Sequence, residues 1–174
     1  MTTTVRLPDP CCPDDASVHL DRTEVPFLVC EYHSGAREGL ERFYLDFEPK
    51  RAAQGLPPAS PERISKWLDS VLPRGIHLLA CRDQQLIGHA LLIPTDEAGA
   101  AEYAVFLHQD VRGRGIGTEL NRIAIETART AGLRRIWLCV VPHNRAAIKS
   151  YERVGFRFLP GTIYSPEAEM QIEL

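Results

Sequence analysis

The sequence predicts a mixed α/β domain, and three observations carry that expectation. Apolar runs at residues 76–81, 86–93 and 101–108 follow one another across short polar turns, as strands of a meander do. Beyond them Ile116, Leu120, Ile123, Ala124, Ala128 and Ala131 recur at helical spacing. Residues 135–141 are then apolar on both faces, the pattern of a strand buried at the centre of a sheet with helices over it. A chain of 174 residues with 44% hydrophobic content suits one domain with a substantial core.

Taken in order, residues 1–22 place Pro8, Pro10 and Pro13 among aspartates, a composition that opposes regular structure, so an extended lead-in is expected before a single domain at 23–174. Residues 23–32 read as a short strand and 36–47 as an amphipathic helix, with a Pro- and Gly-rich loop at 49–58. Ser60 followed by Pro61 marks an N-cap and first-turn proline for a second helix that ends before Pro73. The polar turn 82–85 joins two strands as a hairpin, and a third strand follows at 101–108. A helix at 116–131 stops at Gly132, Asn144 caps the next one, Gly155 ends it, and 156–163 and 168–172 close the sheet as a pair of strands.

The net charge of −3, without a long basic block, gives no expectation of nucleic-acid binding, and a mildly acidic surface suits a cationic substrate. No apolar run approaches a membrane span and the first twenty residues lack a signal-peptide core, so the expected location is cytoplasmic, with no membrane partner. Five cysteines, odd in number and without C-x-x-C spacing, read as thiols rather than as a disulfide framework or zinc site. Cys11 and Cys12, adjacent in a Pro- and Asp-rich segment, could oxidise; the simpler reading makes them incidental residues of a mobile tail. His77, His89 and His143 are scattered along the chain, and no metal is assigned.

The segment from Val111 to Thr118 carries the most chemistry. Gly113, Gly115 and Gly117 alternate with Arg112 and Arg114 at a strand-to-helix turn. Glycines there let the backbone approach a ligand while the unpaired N–H groups of the first helical turn point at it, an arrangement that favours an anion. Taken alone, such glycines also serve a tight turn.

A second motif decides between these readings. Arg112, Gly115 and Gly117 match Q/R-x-x-G-x-G/A, and Asn144, Ala147, Tyr151, Gly155 and Phe156 match N-x-x-A-x-x-x-Y-x-x-x-G-F, both without a gap. Together they resemble the GCN5-related N-acetyltransferase (GNAT) superfamily over roughly residues 76–160. The resemblance implies a mixed, mostly antiparallel sheet with splayed central parallel strands and helices on both faces, and it implies acetyl-CoA as cosubstrate. It places the CoA pyrophosphate on Arg112, Gly113, Arg114, Gly115, Ile116, Gly117 and Thr118, the pantetheine on backbone near Leu107, and a secondary CoA contact on Asn144. The acceptor it implies is a small-molecule or peptide amine, and homodimers are common among such proteins.

Acetyl transfer needs a proton acceptor, an oxyanion donor and an acid for the leaving thiolate. By resemblance Tyr151 supplies the acid, although its place on the stripe of Ile148 and Val154 also suits packing. Glu102 is the one acidic residue in an apolar strand, on the face of Ala104, Phe106 and His108, and partial burial would make it a better base. Residues 102–107 resemble the E-x-S-V-Y-V pattern of phosphinothricin-type acetyltransferases, with Ala104 departing from it. A solvent-facing strand-end glutamate is the other reading, and His108 is the rival base. The sequence is thus read as an N-acetyltransferase working by direct transfer in a ternary complex. The alternatives are another acyl-CoA as donor and a non-catalytic CoA-binding sensor or assembly protein of the same fold.

Overall fold

The computed structural model describes residues 11–13, 15–50, 57–162 and 165–174. The lead-in prolines Pro8 and Pro10, most of the loop at 49–58, and Ile163 at the end of the expected strand 156–163 lie outside these residues.

Eight strands form one sheet: β1 (Ser17–Leu20), β2 (Pro26–Glu31), β3 (Ile76–Arg82), β4 (Gln85–Pro94), β5 (Ala100–Leu107), β6 (Arg135–Val140), β7 (Arg157–Phe158) and β8 (Ala168–Glu173). Their spatial order is β1-β2-β3-β4-β5-β6-β8-β7. Neighbours are antiparallel except β5 and β6, which are parallel and paired only from Ala100–Arg135 to Glu102–Trp137. Past Glu102 the two strands part, which opens the sheet at its centre.

Helices α1 (Arg37–Asp46) and α2 (Pro61–Val71) cover one face, and α3 (Ile116–Thr130) and α4 (Arg145–Arg153) the other. On α3 the residues Ile116, Leu120, Ala124 and Ala128, four apart, are all about fully buried. Burial of each large side chain contributes roughly 1.5–3 kcal/mol and fixes which side of the helix meets the sheet. At α2 the expected cap is found: Ser60 Oγ accepts from the Arg63 N–H, with Pro61 in the first turn.

Three expectations are corrected. The lead-in contains β1, which pairs with β2 from Ser17–Val29 to Leu20–Pro26. What orders it is the turn: the buried Asp21 carboxylate accepts from Thr23 N–H, Thr23 hydroxyl and Val25 N–H, and Arg82 pairs with it at 2.8 Å. Cys11 and Cys12 are likewise buried, at 8% and 1% exposure, and belong to the core under α1. β6 is buried on one face only. Ile136, Leu138 and Val140 enter the core, whereas Cys139 on the opposite face is exposed because α1 and α2 do not extend over it. Among the described residues no helix is long and apolar enough to cross a membrane.

Candidate active site

The site is built where β5 runs out into α3. The register of β4 and β5 decides which way the β5 backbone points. His108 N–H donates to the Ile87 carbonyl, so Leu107 and Gly88, opposite each other, form a non-hydrogen-bonded pair. The N–H and C=O of Leu107, and by alternation those of Val105, therefore point away from β4. They face the edge that β6 has left.

Next to that edge, Gly115 sits in the left-handed region at φ 88° and opens α3 with no side-chain cap. The N–H groups of Ile116, Gly117 and Thr118 are thus left for a ligand. A β-carbon at Gly115 would come within 2.8 Å of Arg22 Cγ, and the Arg22 N–H donates to the Arg114 carbonyl. The β1–β2 turn therefore backs the loop. A cleft of about 330 Å³ opens at this helix start, lined in part by Arg22, Gly115, Thr118, Arg122 and Arg153. Asp21 and Glu119 line it as well, and Arg122 is paired with Glu119, so Arg22 and Arg153 are the guanidinium groups that join the helix-start N–H groups in favouring an anion. A larger cleft, of about 500 Å³, lies along the outer side of α3 between Ile76 and Thr130, away from the loop.

The other expected donor residues fall around this point in different ways. Gly113 is open, with φ 78° and nothing near a β-carbon, and Arg114 is exposed. Arg112 is committed to the strand end: its Nε donates to the Leu107 carbonyl at 3.0 Å, its terminal nitrogen to the Glu48 carbonyl, and its guanidinium lies 5.1 Å from the Phe47 ring centre. Asn144 Oδ1 accepts from Ala147 N–H as the cap of α4.

Tyr151, on α4, is buried at 7% exposure, its ring 6.4 Å from Tyr103 of β5 and 5.7 Å from Phe156. Burial pushes its phenol well above the usual value, so it is protonated at neutral pH. Among the described residues nothing hydrogen-bonds its hydroxyl. A chain of hydrogen bonds that the sequence did not reveal fixes α4 beside it: Tyr103 Oη to Asn121 Oδ1 at 2.8 Å, Asn121 Nδ2 to Ser150 Oγ at 3.0 Å, and Ser150 Oγ to Thr118 Oγ1 at 2.9 Å. Asn121 is 1% exposed. An asparagine beside Leu120 and Ala124 on an apolar helical stripe was the available signal.

Glu102 is exposed, which agrees with the solvent-facing one of the two readings that the sequence left open. It stands on the uncovered face of β5 and β6, where it, Glu167 and Glu169 surround Cys139; burial first and then these carboxylates push that thiol up. His108 is engaged locally, with Nδ1 facing the Asp110 N–H at 3.4 Å and its ring against Phe43.

The α1 and α2 face holds a second feature that sequence distance concealed. His77 and His89 stack with ring centres 5.2 Å apart. His77 Nε2 faces the Val71 and Arg74 carbonyls and must carry the proton; His89 Nε2 then donates to His77 Nδ1 at 3.0 Å, and Tyr44 Oη donates to His89 Nδ1 at 2.6 Å. Every ring nitrogen is used, which ties α1 to β3 and β4. Around Tyr44 the rings of Phe47, Trp67 and Phe106 pack edge-on or tilted, forming an aromatic floor.

A model of the acetyltransferase (GNAT) family matches residues 36–156, and the chain belongs to that family. Over 113 residues it is 30% identical to a Mycobacterium tuberculosis protein described as an uncharacterized N-acetyltransferase, across 58% of this chain and 72% of that protein. Over 151 residues it is 29% identical to mycothiol acetyltransferase of Streptomyces coelicolor, across 86% of this chain and 45% of the relative, so it spans less than half of that protein. In fold it is similar to the GNAT domain of S. lividans PAT, with a TM-score of 0.77 at 19% identity over 91% of this chain and 97% of that one. It is also similar to a phosphinothricin acetyltransferase from Sinorhizobium meliloti in complex with acetyl-CoA, with a TM-score of 0.67 at 15% identity over 84% and 87%.

Proposed function

We propose that the protein is an N-acetyltransferase that moves an acetyl group from acetyl-CoA to a primary amine by direct transfer. The observation that carries this reading is the juxtaposition of outward-facing β5 backbone at Val105 and Leu107 with the uncapped start of α3. Acetyl-CoA would supply the activated acetyl thioester. The N–H groups of Ile116, Gly117 and Thr118 hold its pyrophosphate, with Arg22 and Arg153 adding charge from the cleft wall. Asn144 adds a CoA contact from the start of α4.

In this reading Leu107 N–H donates to the oxygen on which charge develops. Tyr151 Oη holds the proton for the departing thiolate, and burial keeps it from ionising early. Glu102 takes the amine proton, through a water where needed, on an open face whose three carboxylates attract a protonated amine. Arg112 has a positioning role: by holding the Leu107 carbonyl it fixes the strand end whose N–H does the donating. One solved neighbour carries acetyl-CoA and one relative is named for mycothiol acetylation, which supports acetyl-CoA as donor and a small-molecule acceptor.

The test is a panel of amines incubated with acetyl-CoA, read by the mass of the acetylated amine. A mass readout is preferred because the exposed Cys139 would react with thiol reagents. Acetylation of one amine class above the uncatalysed rate supports the assignment. CoA binding without turnover on any amine places the protein among non-catalytic CoA-binding members of the fold.

A further inference from the structure

Four cysteines from three separate segments meet under α1. Cys30 Sγ lies 2.8 Å from Cys12 Sγ, and Cys12 Sγ lies 3.0 Å from Cys81 Sγ. Cys81 is also in contact with Cys11 and Cys30, and Cys11 packs toward Gly39 of α1. The β2–β3 register explains which pairs can join. Cys30 is opposite Leu79 and Cys81 is opposite Leu28, so the two cysteines are diagonal neighbours on one face. Diagonal Cα atoms stand about 7–8 Å apart, beyond the roughly 7 Å that a disulfide spans. The diagonal backbone spacing disfavours a bridge between Cys30 and Cys81 although their side chains touch, and Cys12 Sγ lies 2.8 Å from Cys30 Sγ and 3.0 Å from Cys81 Sγ.

We propose that Cys12 and Cys30 form a reversible disulfide when the protein meets a hydroperoxide, a redox-controlled staple between the segment ahead of β1 and strand β2. In the first step the Cys30 sulfur attacks one oxygen of hydrogen peroxide; the O–O bond breaks, the other oxygen leaves as water, and Cys30 becomes a sulfenic acid. In the second, the Cys12 sulfur attacks the Cys30 sulfur, the S–O bond breaks, and the oxygen leaves with the Cys12 proton as a second water. Two thiols are oxidised and one peroxide is reduced.

The environment assigns these roles. Cys30 Sγ donates to Cys12 Sγ, and its sulfur contacts, first with Cys12 and then with Cys81, hold its thiol below the ordinary range, which favours loss of its proton. Cys81 is pushed the other way by its three sulfur neighbours and by burial, so it stays a thiol. Cys30 retains 8% exposure and Cys81 none, which leaves Cys30 within reach of a small peroxide.

The staple closes a loop of 18 residues that includes the β1–β2 hairpin. It should raise the melting temperature of the full chain by about 5–10 °C. The experiment treats the reduced full-length Cys139→Ser protein with hydrogen peroxide, alkylates the remaining thiols and maps tryptic peptides. Cleavage at Arg22 separates Cys12 from Cys30, so the disulfide appears as a linked pair of peptides that dithiothreitol releases. Cys12→Ser should abolish both the linked pair and the thermal shift. The unmutated Cys12 and Cys30 report by mass whether or not that variant folds. A link to Cys81 in place of Cys30, sulfinic acid without a link, or a tightly held metal ion that blocks oxidation would each overturn the proposal.

Discussion

The two faces of the central sheet are built by different means. On the α3 and α4 face the candidate donor site is mostly backbone: outward groups of β5, free N–H groups at the start of α3, and glycine at a left-handed turn. The α1 and α2 face is built from side chains: the Tyr44–His89–His77 chain, an aromatic floor, and carboxylates around the exposed Cys139. Backbone recognition suits a donor that is always the same. A face built from side chains can be altered by substitution without moving the backbone.

The largest expected effect breaks the donor face at its chemistry. Tyr151→Phe removes only the hydroxyl and keeps the packing against Tyr103 and Phe156. The turnover number should fall by about 10² to 10⁴-fold, the usual range for a positioned acid, while acetyl-CoA affinity measured by calorimetry stays nearly intact. Parental turnover in a chemistry-limited assay would make Tyr151 a packing residue.

Gly115→Val breaks the same face at its backbone. Gly115 has φ 88°, and a β-carbon there meets Arg22. A ligand at about 100 times its Kd stabilises the folded state by roughly 2.7 kcal/mol. The parent should show that shift with CoA but not with nicotinamide dinucleotides, and the variant should lose it. A folded Gly115→Val protein with unchanged CoA affinity would refute the loop assignment.

What was legible in the sequence follows the same division. The hairpin at Asp83 and Gln84, the Ser60 and Asn144 caps, the α3 stripe and the glycine loop could all be read, because local backbone demands select particular residue types at fixed offsets. The family motifs led to Tyr151 for the same reason. Contacts between residues distant in the chain could not be read. Arg22 against the loop, Asn121 between Tyr103 and Ser150, and His77 beside His89 become neighbours only through strand register and helix packing. The lead-in was misread because its composition opposes a core, while the ordering element, Asp21 paired with Arg82, joins residues 61 positions apart. The exposure of Glu102 depends on where α1 and α2 stop, and no local pattern encodes that.

Acid should distinguish the faces next. Burial lowers the affinity of both buried histidines for a proton, and His89 is pushed down to about 3. Below about pH 6.5 the unfolded chain binds protons at these sites while the native state does not, so stability falls as pH falls. For His89 the loss approaches about 1.4 kcal/mol per pH unit and continues to about pH 3, and His77 adds to it in the same direction. Asp21, held well below the carboxylate range first by the Thr23 hydroxyl and also by Arg82, adds its loss only below about 3.8. Urea unfolding of the parent and of His89→Leu between pH 7 and 4.5 checks this. The variant is less stable at pH 7 but should show the shallower slope, and equal slopes would rule the histidine pair out as the source.

The smallest expected effect concerns the acceptor face itself. Glu102 is exposed on β5, and a base that works from the surface or through a water gains less from preorganisation than a buried one. Glu102→Gln keeps the shape and removes the carboxylate. Acceptor kcat/KM near neutrality should fall by about tenfold, the acidic limb of its pH profile should flatten, and acetyl-CoA affinity should persist. His108→Gln should do less, because that ring is already committed to the turn at Asp110 and lies against Phe43. If the histidine variant flattens the acidic limb and the glutamate variant keeps it, the base is His108. If neither changes it, the amine arrives already deprotonated, and the carboxylates around Cys139 serve only to gather a cationic acceptor. That last outcome would show up as a KM that rises with salt while kcat holds, since screening weakens the attraction of an exposed acidic face without touching the chemistry beyond it.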